Sequence, residues 1–294
     1  MKKLIIRVLI GLFVLVFLGY AGVIVYLKTQ ETKLVFYEAY GQPVRTVSPD
    51  STHLKYQRIE LQSEDGIKLT GWVILSEKDT FTSPWLLFCH GNASDISYID
   101  YIARYKLFTN LGLNVLTFDY RGFGESAGTP SETGLYKDAM AIYNYLTVTK
   151  HIPSDRIIIY GHSLGTGVAI DLATRVPVAA LVVEAGFQSN PKTAHQMYPF
   201  LPMRLLSLIM KNRFMSIDKI DRITMPKLFI HSSDDEIIPI SEGRALYDKA
   251  LPPKSFLEIK GSHDPAPMES KESFCNGLSS FLAGTTAHID IEKP

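Results

Sequence analysis

The stretch Ile157–Ile170, IIIYGHSLGTGVAI, places a serine between two glycines at the point where an apolar run gives way to a helical pattern. The apolar run is typical of a buried strand, and the residues after Gly165 predict a helix. A chain that turns this abruptly forces the middle residue, Ser163, into a strained conformation and points its side chain out of the sheet. The motif G-x-S-x-G at 161–165 therefore predicts a nucleophilic serine rather than an ordinary glycine-rich turn.

Short apolar runs alternate with helical patterns on both sides of this stretch. The predicted strands of this part are 85–89, 113–119, 156–161, 179–185, 227–232 and 255–260. Such alternation predicts an α/β fold with a mostly parallel central sheet and helices on both faces. A hairpin-like, antiparallel pattern at 56–75 precedes it. Segment 187–222 interrupts the alternation, and we expect a short helical cap insert there.

A nucleophilic serine needs a base, and the base needs an acid that orients it. After a serine in a strand-turn-helix motif of this kind, the acid comes next in the chain and the histidine last. His263 lies in a loop directly after the last predicted strand, which makes it the expected base. The other histidines after Ser163 lie in the insert, at the end of a strand and near the C-terminus: His195, His231 and His288.

The loop after strand 227–232 supplies the acid. Asp234 and Asp235 stand side by side in it, and Asp235 begins the pattern D-x-x-I-P. We expect Asp235 to orient the histidine and Asp234 to cap the loop or face solvent. Glu184 is the alternative acid, because the neighbouring strand also ends near the histidine.

Two backbone N–H groups are expected to form the oxyanion hole, those of Asn92 and Leu164. Asn92 lies in the tight loop after strand 85–89, and Leu164 begins the helix, whose positive dipole end faces the serine. His90 precedes the serine in the wrong loop for a base and is interpreted as structural. Arg121 is interpreted as part of an ion pair, with contact to an anionic substrate as the alternative. The chain has no H-E-x-x-H motif and no cysteine–histidine cluster, so neither a metal nor a cofactor is expected.

The N-terminus carries a run of 20 residues without charge, Val8–Leu27, which is long enough to cross a bilayer as a helix. We expect an uncleaved membrane anchor; a cleaved signal peptide with a site at Gly19–Ala21 and a buried core helix are the alternatives. The expected organisation is an anchor at 1–30, a stem at 31–56, an α/β domain at 57–284 and a tail at 285–294.

The distribution of charged residues indicates which partners to expect and on which side of the membrane the domain lies. Lys plus Arg and Asp plus Glu are both 30, and this zero net charge argues against a nucleic-acid partner. A slight excess of Lys and Arg before the apolar run favours a domain outside the cytoplasm. A glycan at the sequon Asn92–Ser94 would block the expected oxyanion loop, which favours a bacterial envelope over a eukaryotic secretory lumen. The sequence leaves the oligomeric state open.

Four motifs occur in an order that resembles the α/β-hydrolase superfamily over residues 57–284: CHGNA (89–93), GHSLG (161–165), SDDEIIP (233–239) and GSHD (261–264). With FDYRGFGESAGTPSE (118–132), the sequence is similar to the membrane-anchored, serine-aminopeptidase-like subgroup. The resemblance implies a serine hydrolase with Ser163, Asp235 and His263 at matching positions. Members of this group often have G-x-H-N-D around the base, and the prolines of GSHDPAP depart from that pattern.

The interpretation that follows is a membrane-anchored serine hydrolase that cleaves ester or thioester bonds of acyl chains through an acyl-enzyme. A serine peptidase or amidase with the same triad and a non-catalytic binding module are the alternatives, because the fold hosts many chemistries. The apolar segment 198–210 is interpreted as the wall of an acyl groove, with a core helix packed on the sheet as the alternative.

Overall fold

A sheet of eight strands forms the centre of the computed structural model, which describes residues 1–37, 47–77, 83–92 and 95–285. In spatial order the strands are β1-β2-β4-β3-β5-β6-β7-β8. Only β2 runs against its neighbours, because a turn joins it to β1 as a hairpin, and the remaining pairs are parallel. The strands are β1 (Tyr56–Gln62), β2 (Lys68–Ile74), β3 (Trp85–Cys89), β4 (Asn114–Phe118), β5 (Ile157–His162), β6 (Ala180–Glu184), β7 (Lys227–Ser232) and β8 (Lys254–Ile259).

Helices cover both faces of the sheet, as the alternating pattern predicts. The helices of the described residues are α1 (Lys2–Val35), α2 (Ile99–Asn110), α3 (Glu132–Asn144), α4 (Leu164–Ala173), α5 (Asn190–Met197), α6 (Met203–Ile209), α7 (Ile240–Lys249), α8 (Ala266–Glu269) and α9 (Lys271–Thr285). Residues of α2 and α9 share one apolar cluster with Leu86 and Phe88. Residues of α3, α4 and α7 share the other with Leu87 and Cys89. Successive side chains of β3 thus point to opposite layers of the core.

The insert between β6 and β7 contains α5 and α6, which we call the cap. It does not form a core helix on the sheet, because several of its large apolar side chains are exposed, among them Met197, Phe200 and Leu208. Leu201 and Leu206 face inward and are buried. The cap therefore has one face toward the domain and one apolar face away from it.

The N-terminal run folds as α1, a helix of 34 residues whose most apolar window has a mean hydropathy of 2.8 and no buried residue. It is long and apolar enough to span a membrane. The helix continues to Val35, five residues past the boundary expected at residue 30, and so includes the start of the expected stem. Part of that stem, 38–46, and residues 286–294 of the expected tail lie outside the described residues.

Contacts with the domain explain why α1 is longer than the membrane span requires. The Glu31 carboxylate is buried and accepts hydrogen bonds from the backbone N–H groups of Lys211 and Asn212, each at 2.7 Å. Directly after α1, Phe36 is fully buried and packs edge-on against Phe123 and Phe214. The last turns of α1 are thereby docked on the cap and the core.

Candidate active site

The predicted site residues meet because the parallel strands of the sheet end at one edge. Asn92 follows β3, Ser163 follows β5, Asp235 follows β7 and His263 follows β8. The carboxyl ends of neighbouring parallel strands lie side by side, which brings Ser163 and His263, 100 positions apart in the chain, to one place. This edge is where α/β sheets hold their ligands.

Ser163 has the strained backbone that its sequence context predicts, with φ 51° and ψ −121°. Its N–H donates to the Glu184 carbonyl at 3.0 Å, which holds the turn against β6. The two glycines of the motif are required by close approach. A Cβ on Gly161 would come within 2.6 Å of the Gly165 carbonyl oxygen, and a Cβ on Gly165 would collide with the backbone of Cys89. Larger residues at either position would push the start of α4 off the sheet.

A chain of hydrogen bonds links the predicted serine, histidine and acid. His263 Nε2 lies 2.9 Å from Ser163 Oγ, and His263 Nδ1 lies 2.8 Å from Asp235 Oδ2. The other carboxylate oxygen, Oδ1, accepts from the N–H groups of Ile237 and Ile238 at 2.9 and 2.7 Å. These bonds fix the carboxylate, so that the imidazole donates from Nδ1 and faces the serine with Nε2.

Burial and charge set the protonation of this pair. Burial lowers the pKa of His263, but the hydrogen bond and charge of Asp235 outweigh it, so the pKa of His263 is raised above its ordinary value. Burial raises the pKa of Asp235, but the His263 bond and two backbone N–H groups outweigh it, and the pKa of Asp235 is lowered. The pair is therefore suited to accept a proton from Ser163 Oγ and to stabilise the imidazolium that forms.

The other two acidic candidates lie elsewhere. Asp234 is exposed and accepts a long hydrogen bond of 3.4 Å from the Gly261 N–H. Glu184 is buried, pairs with Arg104 at 3.0 Å and accepts a 2.5 Å hydrogen bond from the Tyr160 hydroxyl. Within the described residues, neither carboxylate is hydrogen-bonded to His263.

Asn92 and Leu164, the expected oxyanion donors, line the same cavity as Ser163. Leu164 is the first residue of α4, so its N–H has no partner within the helix. The Asn92 side chain donates from Nδ2 to the Val35 carbonyl at 2.9 Å. That bond ties the loop after β3 to the last turn of α1.

His90 and Arg121 hold structural positions. The His90 ring is fully buried, donates from Nδ1 to the Gly91 carbonyl at 2.7 Å and packs against Tyr120. Burial lowers the pKa of His90 to about 4, so the ring is neutral near pH 7. Arg121 pairs with Asp65 and Asp138 at 2.8 and 2.7 Å, as the ion-pair interpretation expects.

Sequence reasoning missed Arg104, a fully buried arginine in α2. Its guanidinium pairs with Glu184 and donates to the backbone carbonyl of Asp264, the residue after His263. The sequence does contain a sign of this buried charge, because Arg104 lies on the apolar face of α2 between Tyr101 and Phe108. A charge on a buried helical face needs a partner, and here the partner lies beneath the loop that carries the histidine.

One group of potential metal ligands occurs among the described residues: His162, His263 and Asp264, whose ligand atoms lie within 4.8 Å of one another. Burial holds the pKa of His162 well below its ordinary value and raises the pKa of Asp264. A metal bound through His263 Nε2 would replace the hydrogen bond to Ser163. The group is therefore part of the serine site and not a separate centre.

A mostly apolar cavity of about 480 Å³ opens over Ser163 and His263. The cap contributes Leu206 and Ile209 to its wall. Another part of the wall comes from α1, through Leu27 and Leu34. This volume is in the range of pockets that bind small organic ligands, and the N-terminal helix is one of its sides.

Comparison with known proteins bears on the fold. Residues 84–209 match a family model described as alpha/beta hydrolase fold. The chain is 34% identical over 266 residues to Uncharacterized protein Rv2307c of Mycobacterium tuberculosis, covering 90% of this chain and 92% of that protein. It is 34% identical over 226 residues to Lysophosphatidylserine lipase ABHD12 of Danio rerio, covering 66% of this chain and 59% of the lipase.

Among solved structures, the Pyrococcus furiosus esterase Pf2001 superposes with a TM-score of 0.69 at 23% identity, covering 83% of this chain and 98% of the esterase. At this level of identity the likeness concerns the fold. The strand order, the strained serine after β5, the family-model match over residues 84–209 and the superposed esterase agree: the chain has the alpha/beta hydrolase fold.

Proposed function

We propose that the protein is a membrane-anchored serine hydrolase that cleaves ester or thioester bonds of acyl chains. The observation that carries the proposal is the chain of hydrogen bonds from Asp235 through His263 to Ser163 at the base of an apolar cavity. The similarity to a lipase that acts on lysophosphatidylserine supports a lipid ester with a single acyl chain as the substrate class.

In the proposed mechanism, His263 Nε2 takes the proton from Ser163 Oγ as the oxygen attacks the acyl carbonyl carbon. The N–H groups of Asn92 and Leu164 hold the negative charge that develops on the carbonyl oxygen. The imidazolium then protonates the leaving oxygen or sulfur, which leaves an acyl-enzyme. Water, activated by His263, attacks this ester and releases the fatty acid, and the proton returns to Ser163.

The cavity wall favours an acyl chain over a peptide with a free amino terminus. Glu31 and Asp264 are its acidic side chains within the described residues. Glu31 already accepts hydrogen bonds from the backbone of Lys211 and Asn212. Burial raises the pKa of Asp264 and disfavours its charged form. An acyl chain would pack on the leucine and isoleucine side chains of the wall, whereas an ammonium group would need the charged form of Asp264, which burial disfavours.

Covalent labelling tests the serine mechanism. A fluorophosphonate probe should label the full-length protein, and Ser163→Ala should abolish both labelling and hydrolysis of a short ester. Ser154→Ala, at the opposite edge of the sheet, is the matched control and should leave both unchanged. Labelling that persists in Ser163→Ala would reject the serine assignment, and a protein that never reacts would favour a binding module.

A series of esters with longer acyl chains tests the substrate class. Each buried methylene contributes about 0.8 kcal/mol, or roughly fourfold in kcat/KM, so kcat/KM should climb over several added carbons. Leu206→Ser should flatten the climb, because Leu206 lines the cavity, whereas its neighbour Leu205 does not and Leu205→Ser should preserve it. A flat profile from two to eight carbons in the unmodified protein, with aminoacyl amides cleaved instead, would favour the peptidase.

The proposed topology has the N-terminus in the cytoplasm and the hydrolase domain outside it, in a bacterial envelope. The slight excess of Lys and Arg in the first turns of α1, before the charge-free run Val8–Leu27, supports this orientation. A reporter that is active only outside the cytoplasm, fused after Pro294, should be active. The opposite result, activity of a cytoplasm-only reporter at that position, would reverse the orientation.

A further inference from the structure

The outer face of the cap carries a cluster of exposed apolar side chains. Leu208 is 82% exposed, Met197 67%, Phe200 64% and Met203 39%, all within twelve residues of sequence. We call these four residues the apolar cap face. Single exposed apolar residues are common on soluble proteins, but four in so short a segment, one of which (Met197) also lines the cavity, indicate an interaction surface.

The docking of α1 determines which way this face points. Leu27 is the last residue of the charge-free run, and it is also part of the cavity wall. One turn later, Glu31 bonds to the backbone of Lys211 and Asn212, directly after α6. The cap is therefore fastened to α1 just where the apolar run ends, so a bilayer that holds the run lies beside the cap and the cavity mouth.

The charge around the apolar cap face suits an anionic surface. No acidic residue occurs between Asn190 and Arg213. The same segment contains four basic residues: Lys192, Arg204, Lys211 and Arg213. An apolar face flanked by basic side chains is the arrangement that binds the boundary between headgroups and acyl chains of an anionic leaflet.

From these three observations we infer that the apolar cap face inserts into the leaflet next to α1, and that the substrate's acyl chain enters the cavity from that leaflet between α1 and the cap. The occupant of the face is a lipid surface, not a protein. The identity of the entering molecule rests on the proposed hydrolase function, but insertion of the face does not.

Depth-dependent quenching tests insertion without using activity. The full-length chain with Cys275→Ser would be reconstituted in phosphatidylcholine vesicles containing phosphatidylglycerol, with an environment-sensitive fluorophore on Leu208→Cys. Lipids that carry a quencher in the acyl chain should quench this probe. Probes on Val148→Cys and Leu251→Cys, exposed apolar positions in the connections that enter β5 and β8 at the opposite edge, should stay unquenched. Equal quenching at all three positions, or none at Leu208, would overturn the inference.

Two substrates test delivery from the leaflet. Phe200→Ser with Leu208→Ser should lower hydrolysis of a long-chain ester embedded in the vesicles about tenfold, and leave a water-soluble acetyl ester unaffected. Val148→Ser with Leu251→Ser should change neither rate. An unchanged rate on the embedded ester would overturn delivery through the cap. Absence of fluorophosphonate labelling would instead reject the proposed hydrolase, while the quenching result would still decide insertion.

Discussion

At the scale of single residues, the protonation of His263 links the geometry to a measurable pH profile. The neutral imidazole is the form that accepts the Ser163 proton. An imidazole that is already protonated cannot act as the base. Because the Asp235 carboxylate raises the pKa of His263, the site loses its base earlier as the pH falls than it would with an ordinary histidine.

The first prediction is therefore a shift in the pH profile. The rising limb of kcat/KM for a soluble acetyl ester should have its midpoint above 6.5, the ordinary pKa of histidine. In Asp235→Asn the carboxylate that raises the pKa of His263 is lost, while the burial that lowers this pKa remains. The midpoint of the residual activity should therefore move to lower pH. An identical midpoint in both proteins would mean that Asp235 does not govern the protonation of His263.

The second prediction separates the two adjacent aspartates. Asp235→Asn should lower kcat about 10⁴-fold, because the asparagine no longer orients the imidazole or stabilises its charged form. Asp234→Asn is the matched control and should change kcat little, since its carboxylate is exposed. Steady-state kinetics on the acetyl ester measures kcat of both variants. A larger loss of kcat in Asp234→Asn than in Asp235→Asn would contradict the assignment of Asp235 as the acid.

The third prediction concerns Arg104, whose charge is buried under the histidine loop. Arg104→Met leaves the Glu184 carboxylate without its partner and should lower the free energy of unfolding by about 3–5 kcal/mol. Adding Glu184→Gln removes the unpaired charge and should restore part of the loss. Denaturant unfolding of the full-length proteins in detergent measures both, and equal stability of Arg104→Met and the unmodified protein would contradict a buried ion pair.

At the scale of elements, the sequence predicts most of what the local chain determines. The apolar runs of β3 to β7 correspond to strands because these strands are buried on both faces, whereas β8, at the edge of the sheet, is mostly half-buried or exposed. The serine, acid and base follow from motifs directly after strands, since parallel strand ends share one edge. The prolines after His263 also act locally: Pro265 precedes the short helix α8. In all of these cases the residues that determine the local structure are close together in the chain, so a short stretch of sequence predicts it.

The docking of α1 could not be predicted in this way. Glu31 looks like an ordinary charge after a membrane span, and its partner Lys211 lies 180 residues further on. Phe36 looks like part of a stem, and its aromatic partners belong to a loop and to the end of the cap. Arg104 was missed for the same reason, because Glu184 and Asp264 approach it only in the folded sheet.

The fourth prediction tests this docking. Phe36→Ala removes a fully buried ring between Phe123 and Phe214 and should lower the free energy of unfolding by about 3–5 kcal/mol. Phe17→Ala removes an exposed ring from the same helix, and should change stability little in detergent. Equal effects of the two substitutions would mean that Phe36 is not part of the domain core.

At the scale of the whole molecule, the membrane helix and the hydrolase domain are not separable at residue 30. The cavity includes Leu27, Lys28 and Leu34 in its wall, and the loop of Asn92 is bonded to Val35. In the proposed function the first part of α1 is the membrane anchor, and its last turns are part of the wall of the candidate site.

The fifth prediction compares two truncations. A chain without residues 2–24 keeps the cavity wall and should retain its preference for longer acyl esters in detergent. A chain without residues 2–36 lacks that wall and Phe36, and should lose the preference and melt at a lower temperature. Chain-length profiles and thermal unfolding measure this, and identical profiles for both would contradict a role of α1 in the site.

The span of 180 residues between Glu31 and Lys211 has a consequence for how the protein is made. The ribosome synthesises α1 first, so in the proposed topology the apolar run is available to the membrane before the cap has been synthesised. Closing so large a loop is a slow, entropically costly step, which only the later contacts compensate. The wall that α1 and the cap share is therefore completed only after the cap has been synthesised. Until then the cavity residues of α1, such as Leu27 and Leu34, lack the cap residues with which they share the cavity wall.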